Sequence, residues 1–341
     1  MKENILGETF KDKRILITGG TGSIGTGLVR RLLEFNPTVI RIFSNDENAQ
    51  FCLEQELKEH SDLRFLVGDV RDRERLKRAT ENIEIVFHAA ALKHVPSCEY
   101  NPFEAIKTNV IGTQNLLEVA IDKNVEKVIT ISTDKAVSPV NVMGATKLLA
   151  ERLTIAANYY KGFKRTVFSC VRFGNVLGSR GSVVQLFEKQ IRNRGPVTLT
   201  DPDMVRFVMS MERAIELVLK AAEMAKGEEI FIFKMPALHI RTLANVMIQK
   251  LAPKYGYEPK DIEVKIIGKR KGERLYEELI TEDEAMNAYE TEDMLVVLPE
   301  TPIIPAQREG LKKIAFKEYT SKDTTELTKK EIEDLLESII K

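Results

Sequence analysis

No sign of charge dominates this 341-residue sequence: Lys+Arg and Asp+Glu both total 51, so the formal net charge is zero. Such balance gives no electrostatic reason to expect nucleic-acid or anionic-membrane binding, and any anionic ligand must be held by a local cluster of donors. Long apolar runs are missing as well, none approaching the ~20 residues that span a bilayer. The opening segment MKENILGETFKDKR has no apolar stretch of the signal-peptide kind. These absences predict a cytoplasmic protein without membrane insertion. Cysteine is scarce, and Cys52, Cys98 and Cys170 lie far apart without metal-ligand spacing. That pattern fits a reducing compartment and argues against zinc or disulfide chemistry, so no metal site is expected. Internal repeats and low-complexity tracts are also lacking.

What is present is ordinary for a globular chain: 43% hydrophobic and 30% charged residues. Short apolar runs recur at 14–18, 38–43, 63–70, 83–91, 125–134 and 165–176, separated by helix-like stretches. The first such stretch, GTGLVRRLLEF, carries Leu28, Val29, Leu32, Leu33 and Phe35 as its apolar positions. Strands alternating with helices predict an α/β fold with a doubly wound parallel sheet of Rossmann type. Beyond residue 180 the rhythm loosens, with a helix over 211–225, strands in EEIFIFKM and IEVKIIG, and a helix between them. We divide the chain into 1–180, a dinucleotide-binding domain, and 181–341, a smaller α/β substrate-binding lobe interleaved with it. The lobe is expected to end in a helix starting near Thr328.

ITGGTGSIG sets Gly19, Gly22 and Gly25 at the end of the first strand, flanked by Thr18, Thr21, Ser23 and Ile24. One glycine makes the turn, another admits a pyrophosphate against bare backbone, and the third lets helix and sheet approach closely. The following helix N-terminus offers free N–H groups to phosphate. After the second strand stand Ser44, Asn45 and Asp46: a carboxylate there suits a ribose 2′-OH, yet the polar neighbours could serve either form, so NAD and NADP both stay open. Asp69 and Val70 end the third strand where adenine would lie. Ala89, Ala90 and Ala91 end the fourth, small enough for backbone to run along the cofactor.

These motifs, with Lys147 and the phrases AALKHVPSCEYNPFEAIKTNVIGT, STDKAVSPVNVMGATK and VRFGNVLGSRGSVV, resemble the extended short-chain dehydrogenase/reductase superfamily. Within it they resemble the nucleotide-sugar 4,6-dehydratases, and the short 5-inverting UDP-N-acetylglucosamine 4,6-dehydratases fit the length best. The resemblance implies a tightly bound, recycled NAD or NADP, a UDP-sugar substrate and a homo-oligomer. The implied reaction oxidises C4, eliminates water across C5 and C6, returns hydride to C6 and releases a 4-keto-6-deoxy sugar.

Such chemistry needs groups for the 4-OH proton, the C5 proton and the departing 6-OH. Thr133, Asp134 and Lys135 end the fifth strand, where open α/β sheets place ligand chemistry. The resemblance makes Asp134 the acid for the 6-OH, Lys135 the C5 base, Thr133 a hydroxyl contact and Lys147 the grip on the nicotinamide ribose. To act as base, Lys135 must have its pKa depressed by burial or a nearby cation such as Lys147. The family's usual Tyr falls on Met143, whose thioether cannot exchange a proton. Tyr159 and Tyr160 lie too far along the helix to replace it. The 4-OH base is therefore left to Lys147 through a ribose hydroxyl or water, or to Thr133 relaying to Lys135. Lys93, Asn109 and Ser132 join the cofactor contacts. Lys93, His94, Asn175, Arg180, Ser182, Val183, Arg206, Arg270 and Glu273 form the expected sugar-nucleotide side, with arginines suited to paired phosphate oxygens. A UDP-sugar 4-epimerase and a non-catalytic nicotinamide-sensing protein are the competing readings.

Overall fold

The computed structural model describes residues 7–300 and 311–340. Six strands, β1 (Arg14–Thr18), β2 (Val39–Ser44), β3 (Leu63–Val67), β4 (Ile85–His88), β5 (Lys127–Ile131) and β6 (Val167–Arg172), lie parallel in the order 3-2-1-4-5-6. Helices cover the sheet on both faces, so its central strands must be apolar on both sides. In β1, Ile15 and Ile17 join the core containing Phe10, Leu28 and Phe87, while Leu16 joins Phe43, Val86 and Phe168 on the other face. The period-2 alternation of a strand thus feeds two separate cores.

The crossovers run through α1 (Ser23–Leu33), α2 (Glu47–Glu56), α3 (Arg73–Ala79), α4 (Gly112–Asp122) and α5 (Val142–Tyr160). Asp46, Asp72 and Asn141 cap the backbone N–H groups that open α2, α3 and α5. By contrast Gly22, at the head of α1, supplies no side-chain cap.

The second half begins with β7 (Asn175–Val176), α6 (Val183–Arg192), β8 (Val197–Leu199), β9 (Val205–Met209) and α7 (Met211–Met224). Strand β10 (Ile230–Phe233) then re-enters the main sheet, parallel to β6. After β11 (Ala237–His239), α8 (Ile240–Leu251), β12 (Val264–Ile266) and β13 (Glu278–Ile280) comes a hairpin of β14 (Ala288–Glu290) and β15 (Met294–Val297). This hairpin pairs antiparallel with β10 and, with β16 (Lys312–Lys313), extends the sheet to ten strands. That antiparallel edge did not stand out in the sequence. A separate core gathers Phe187, Leu199, Leu243, Met247 and Leu336. Leu336 comes from α9 (Lys329–Ile339), which follows β17 (Tyr319–Thr320) and is opened by a capping box at Thr328.

A buried ionic cluster helps to tie the two halves. Arg172 of β6, 1% exposed, bonds Glu151 of α5 at 2.7 Å and Glu284, beyond β13, at 2.8 Å. It also donates to the Leu279 carbonyl. Among the described residues no helix is long and apolar enough to cross a membrane.

Candidate active site

The strand order reverses between β1 and β4, and a cleft of about 910 Å³ opens at the C-terminal ends of these strands. Gly19 forms its floor at φ +65°, where a Cβ would sit 2.7 Å from Ala90 backbone. A Cβ on Gly25 would meet the Gly19 carbonyl at 2.4 Å, so the turn and the first helical coil require glycine. With Gly22 leaving the head of α1 uncapped, its N–H groups remain available to an anion.

Gly19, Gly22, Ser23, Ile24, Gly25, Asp46, Ala89, Ala91, Lys93, Ser132 and Lys147 all line this cleft. Thr18, Thr21, Ser44, Asn45, Asp69, Val70, Ala90 and Asn109 do not line it. Thr21 and Ser44 share a hydroxyl hydrogen bond of 2.8 Å, which fixes the glycine turn against β2. Asp69 is held by Arg71 and by the Asn45 amide, and Arg71 keeps its carboxyl below the usual range. Val70 packs against Gly112. Buried Asn109 accepts from Leu92 N and donates to Leu92 O and Thr146 Oγ1, bracing the strand-end segment against α5. It shapes the cleft without facing it.

At the end of β5, Thr133 Oγ1 donates to Asp134 Oδ1 at 2.7 Å, and the Lys135 ammonium lies 3.0 Å from the same oxygen. Lys135 also bonds Glu277 Oε1 at 2.9 Å. Glu277, a residue the sequence reading did not single out, is 5% exposed and lines the cleft. Its carboxylate receives Asn175 Nδ2 at 2.8 Å and Arg206 Nε at 3.2 Å, and its backbone N–H bonds Ser321. As one glutamate in GERLYEELI it is indistinguishable by type from its neighbours. Only the fold shows that it is buried.

These contacts reverse one expectation. Burial would lower the Lys135 pKa, but Asp134 and Glu277 hold it above the ordinary lysine value. Lys147 does not supply a depressing charge to it; the opposing cation is Arg206. Burial also works to raise Asp134, yet Lys135 and the surrounding hydrogen bonds hold it at about 2. Glu277 is pushed up to about 7 by burial and by the facing Asp134 carboxylate, against the pull of Lys135 and Arg206.

Lys147 is buried, its pKa lowered by desolvation, and it donates to the Ile131 carbonyl at 2.6 Å. Met143 is 3% exposed, packed with Cys98 and Ala105 while still touching the cleft. Nearby His88 is held at about 3 by burial, with the Lys147 charge adding, so it stays neutral between Thr18 and Thr113.

His94, Asn175, Arg180, Ser182, Val183, Arg206, Arg270 and Glu273 line the other side. Two of the arginines have committed donors. Arg206 bonds the carbonyls of Arg274 and Leu275 besides Glu277, so it organises this wall in place of presenting a free fork. Arg180 donates to the Thr21 carbonyl, its N–H bonds Ser23 Oγ at 2.9 Å, and its carbonyl receives Lys93 at 2.8 Å. Ser182 heads α6 without capping it. Ser132 Oγ and Ser182 Oγ are buried cleft atoms without a hydrogen-bond partner. Buried polar groups left this way invite a ligand. The glycine cradle, uncapped α1 and Ser132 hydroxyl fit a dinucleotide.

The sequence profile of a polysaccharide biosynthesis protein family matches residues 15–299. The chain belongs to that family. It is thereby an extended short-chain dehydrogenase/reductase of the nucleotide-sugar dehydratase and epimerase group. Another similar chain is an uncharacterized membrane protein of Methanocaldococcus jannaschii, 62% identical and covering 97% of each chain. The UDP-N-acetylglucosamine 4,6-dehydratase (inverting) of Campylobacter jejuni is 44% identical over 86% of this chain and 85% of its own. A Rickettsia typhi protein named UDP-glucose 4-epimerase is 41% identical over 96% of each. Among solved structures, Pen from Bacillus thuringiensis superposes with a TM-score of 0.91 at 44% identity, covering 97% of this family member and 98% of Pen. DesIV from Streptomyces venezuelae, a dTDP-glucose 4,6-dehydratase with NAD and TYD bound, shares the fold at a TM-score of 0.70 and 24% identity, over 77% and 86% of the chains.

Proposed function

We propose that the protein is a nucleotide-sugar 4,6-dehydratase that converts UDP-GlcNAc, or a close UDP-hexose, to a UDP-4-keto-6-deoxy sugar with inversion at C5. The carrying observation is the Asp134–Lys135 pair at the C-terminal end of β5, the carboxylate buried and the lysine half-buried, both lining the cleft. Breaking the C6–O bond requires both an acid and a base at C5–C6, whereas moving hydride on and off C4 requires neither. The inverting dehydratase of Campylobacter jejuni supports the same reading.

The glycine turn, the α1 N-terminus, Ser132 and Lys147 would hold NAD or NADP, which supplies a hydride acceptor and donor when bound. Lys147, fixed on the Ile131 carbonyl, would orient the ribose. The head of α6 and Arg270 would receive the UDP pyrophosphate and Glu273 a ribose hydroxyl, while His94 walls the sugar. Met143 leaves the 4-OH proton to Lys147 or Thr133. We extend the proposal to a homo-oligomer in the cytoplasm with a role in surface-glycan synthesis; light scattering of the purified protein tests the oligomer.

A 4-epimerase is the second reading, favoured by the Rickettsia names and their 96% coverage. Incubation with UDP-GlcNAc in D2O, followed by NMR, separates the two. A C6 methyl beside a 4-keto group with deuterium at C5 is expected. A UDP-GalNAc product that keeps its 6-hydroxyl would overturn the proposal.

A further inference from the structure

We infer that Glu277 is a working part of the proton machinery, relaying protons between Lys135 and Asp134 so that a resting salt bridge becomes a base and an acid. The inference rests on the dehydratase reading. In the resting arrangement Lys135 is an ammonium and Asp134 a carboxylate, 3.0 Å apart, and neither has the protonation state that elimination needs. Glu277 touches both. Its Oε1 accepts from Lys135 Nζ at 2.9 Å, and its carboxyl meets that of Asp134. Asp134 Oδ2 is buried with no donor of its own, so a proton carried by Glu277 has a vacant acceptor. The remaining groups facing Glu277 are Asn175 from β7, Arg206 from β9 and Ser321 beyond β17. They fix both carboxylate oxygens and the backbone, which orients the relay.

The transfers balance. The proton on Glu277 passes to Asp134 Oδ2, and a proton from Lys135 replaces it on Glu277 Oε1. The site then holds a free amine, a carboxylic acid at Asp134 and a protonated Glu277. The amine takes the C5 proton, the C5–H electron pair forms the C5–C6 double bond, and the C6–O bond breaks. The departing oxygen takes the Asp134 proton and leaves as water, which restores the ammonium, the carboxylate and the protonated Glu277. An ionised Glu277 would put two anions on Lys135 and pin its proton. Because burial and Asp134 push Glu277 up to about 7, activity must fall as pH rises through neutrality.

Glu277 acts through its two neighbours, so its test is a pH–rate profile. Wild type, Glu277→Gln and Glu277→Asp are compared for kcat on UDP-GlcNAc from pH 5.5 to 9, alongside retained nicotinamide and melting temperature. Glu277→Gln, which cannot relay, is expected to lose about 100-fold or more in kcat. It should also lose the limb near neutrality while keeping its cofactor. Glu277→Asp should recover part of the rate, with the limb restored at a shifted pH. A fully active Glu277→Gln with the wild-type limb overturns the inference alone. If Glu277→Gln does not fold, a Glu277→Asp limb unmoved from wild type overturns it equally. A wild type that forms no 4-keto product removes the dehydratase reading itself.

Discussion

Lys135 is the residue on which the proposed chemistry turns, and its surroundings show how little residue type alone says. Asp134 stabilises its charged form, and Glu277 adds to this when ionised, so it becomes a base only when the local proton count changes. Replacing Lys135 with Ala is expected to abolish turnover and leave the cofactor in place, checked by product NMR and by nicotinamide absorbance of the purified protein. An active Lys135→Ala would remove it as the C5 base. Lys147 has the opposite signature: Lys147→Met should lower nicotinamide occupancy, because the ammonium fixed on the Ile131 carbonyl is a proposed contact to the cofactor. The glycine turn was legible in its spacing, whereas the TDK triplet and Lys147 were legible through the family phrases around them and, for TDK, its place at a strand end. Glu277 was hidden, since the burial that singles it out depends on strands distant in the chain.

At the scale of elements, the join between the β5 end and α5 is the tightest in the site. A Cβ on Gly144 would lie 2.1 Å from the Lys135 carbonyl oxygen, a backbone atom that cannot swing aside. Gly144→Ala must therefore move the Asp134–Lys135 turn, although it removes no polar group. A misplacement of about 1 Å at a reacting group can cost about 100-fold in kcat, so a loss of that size is expected in steady-state kinetics with an unchanged cofactor content. Elements with a clear period, β1 to β6, α7 and α8, were readable because burial on two faces or on one stripe imposes the pattern. The β14–β15 hairpin was not: its strands are short, and only pairing with β10 gives them a place. The tail helix could be read from Thr328 because its cap is local, with Glu331 completing the box. Thr328→Ala should lower stability by about 1 kcal/mol in urea unfolding.

Across the whole molecule, Arg172 links β6, α5 and the segment beyond β13 through two glutamates. Substitution by Met would leave two buried carboxylates unpaired, at a cost of about 3–5 kcal/mol. The pH dependence has a definite sign. Burial works to raise Glu284, but Arg172 holds its pKa below the ordinary value. The stability this pairing contributes is full above the ordinary carboxylate range and is lost as pH falls through the depressed pKa. In Arg172→Met the unpaired carboxyl titrates upward, so acidification should narrow the gap between variant and wild type. Urea midpoints at pH 7 and pH 4.5 measure this, and a gap that widens at low pH would contradict it.

The order of strands also sets a timetable for synthesis. All four residues of β10 are buried, and its outer neighbour is β15, which a ribosome reaches only at residue 297. Until then the nascent chain carries an apolar strand with one unpaired edge, open to any other extended segment it meets. The topology of the sheet thus opens an interval during translation in which β10 is exposed to mispairing.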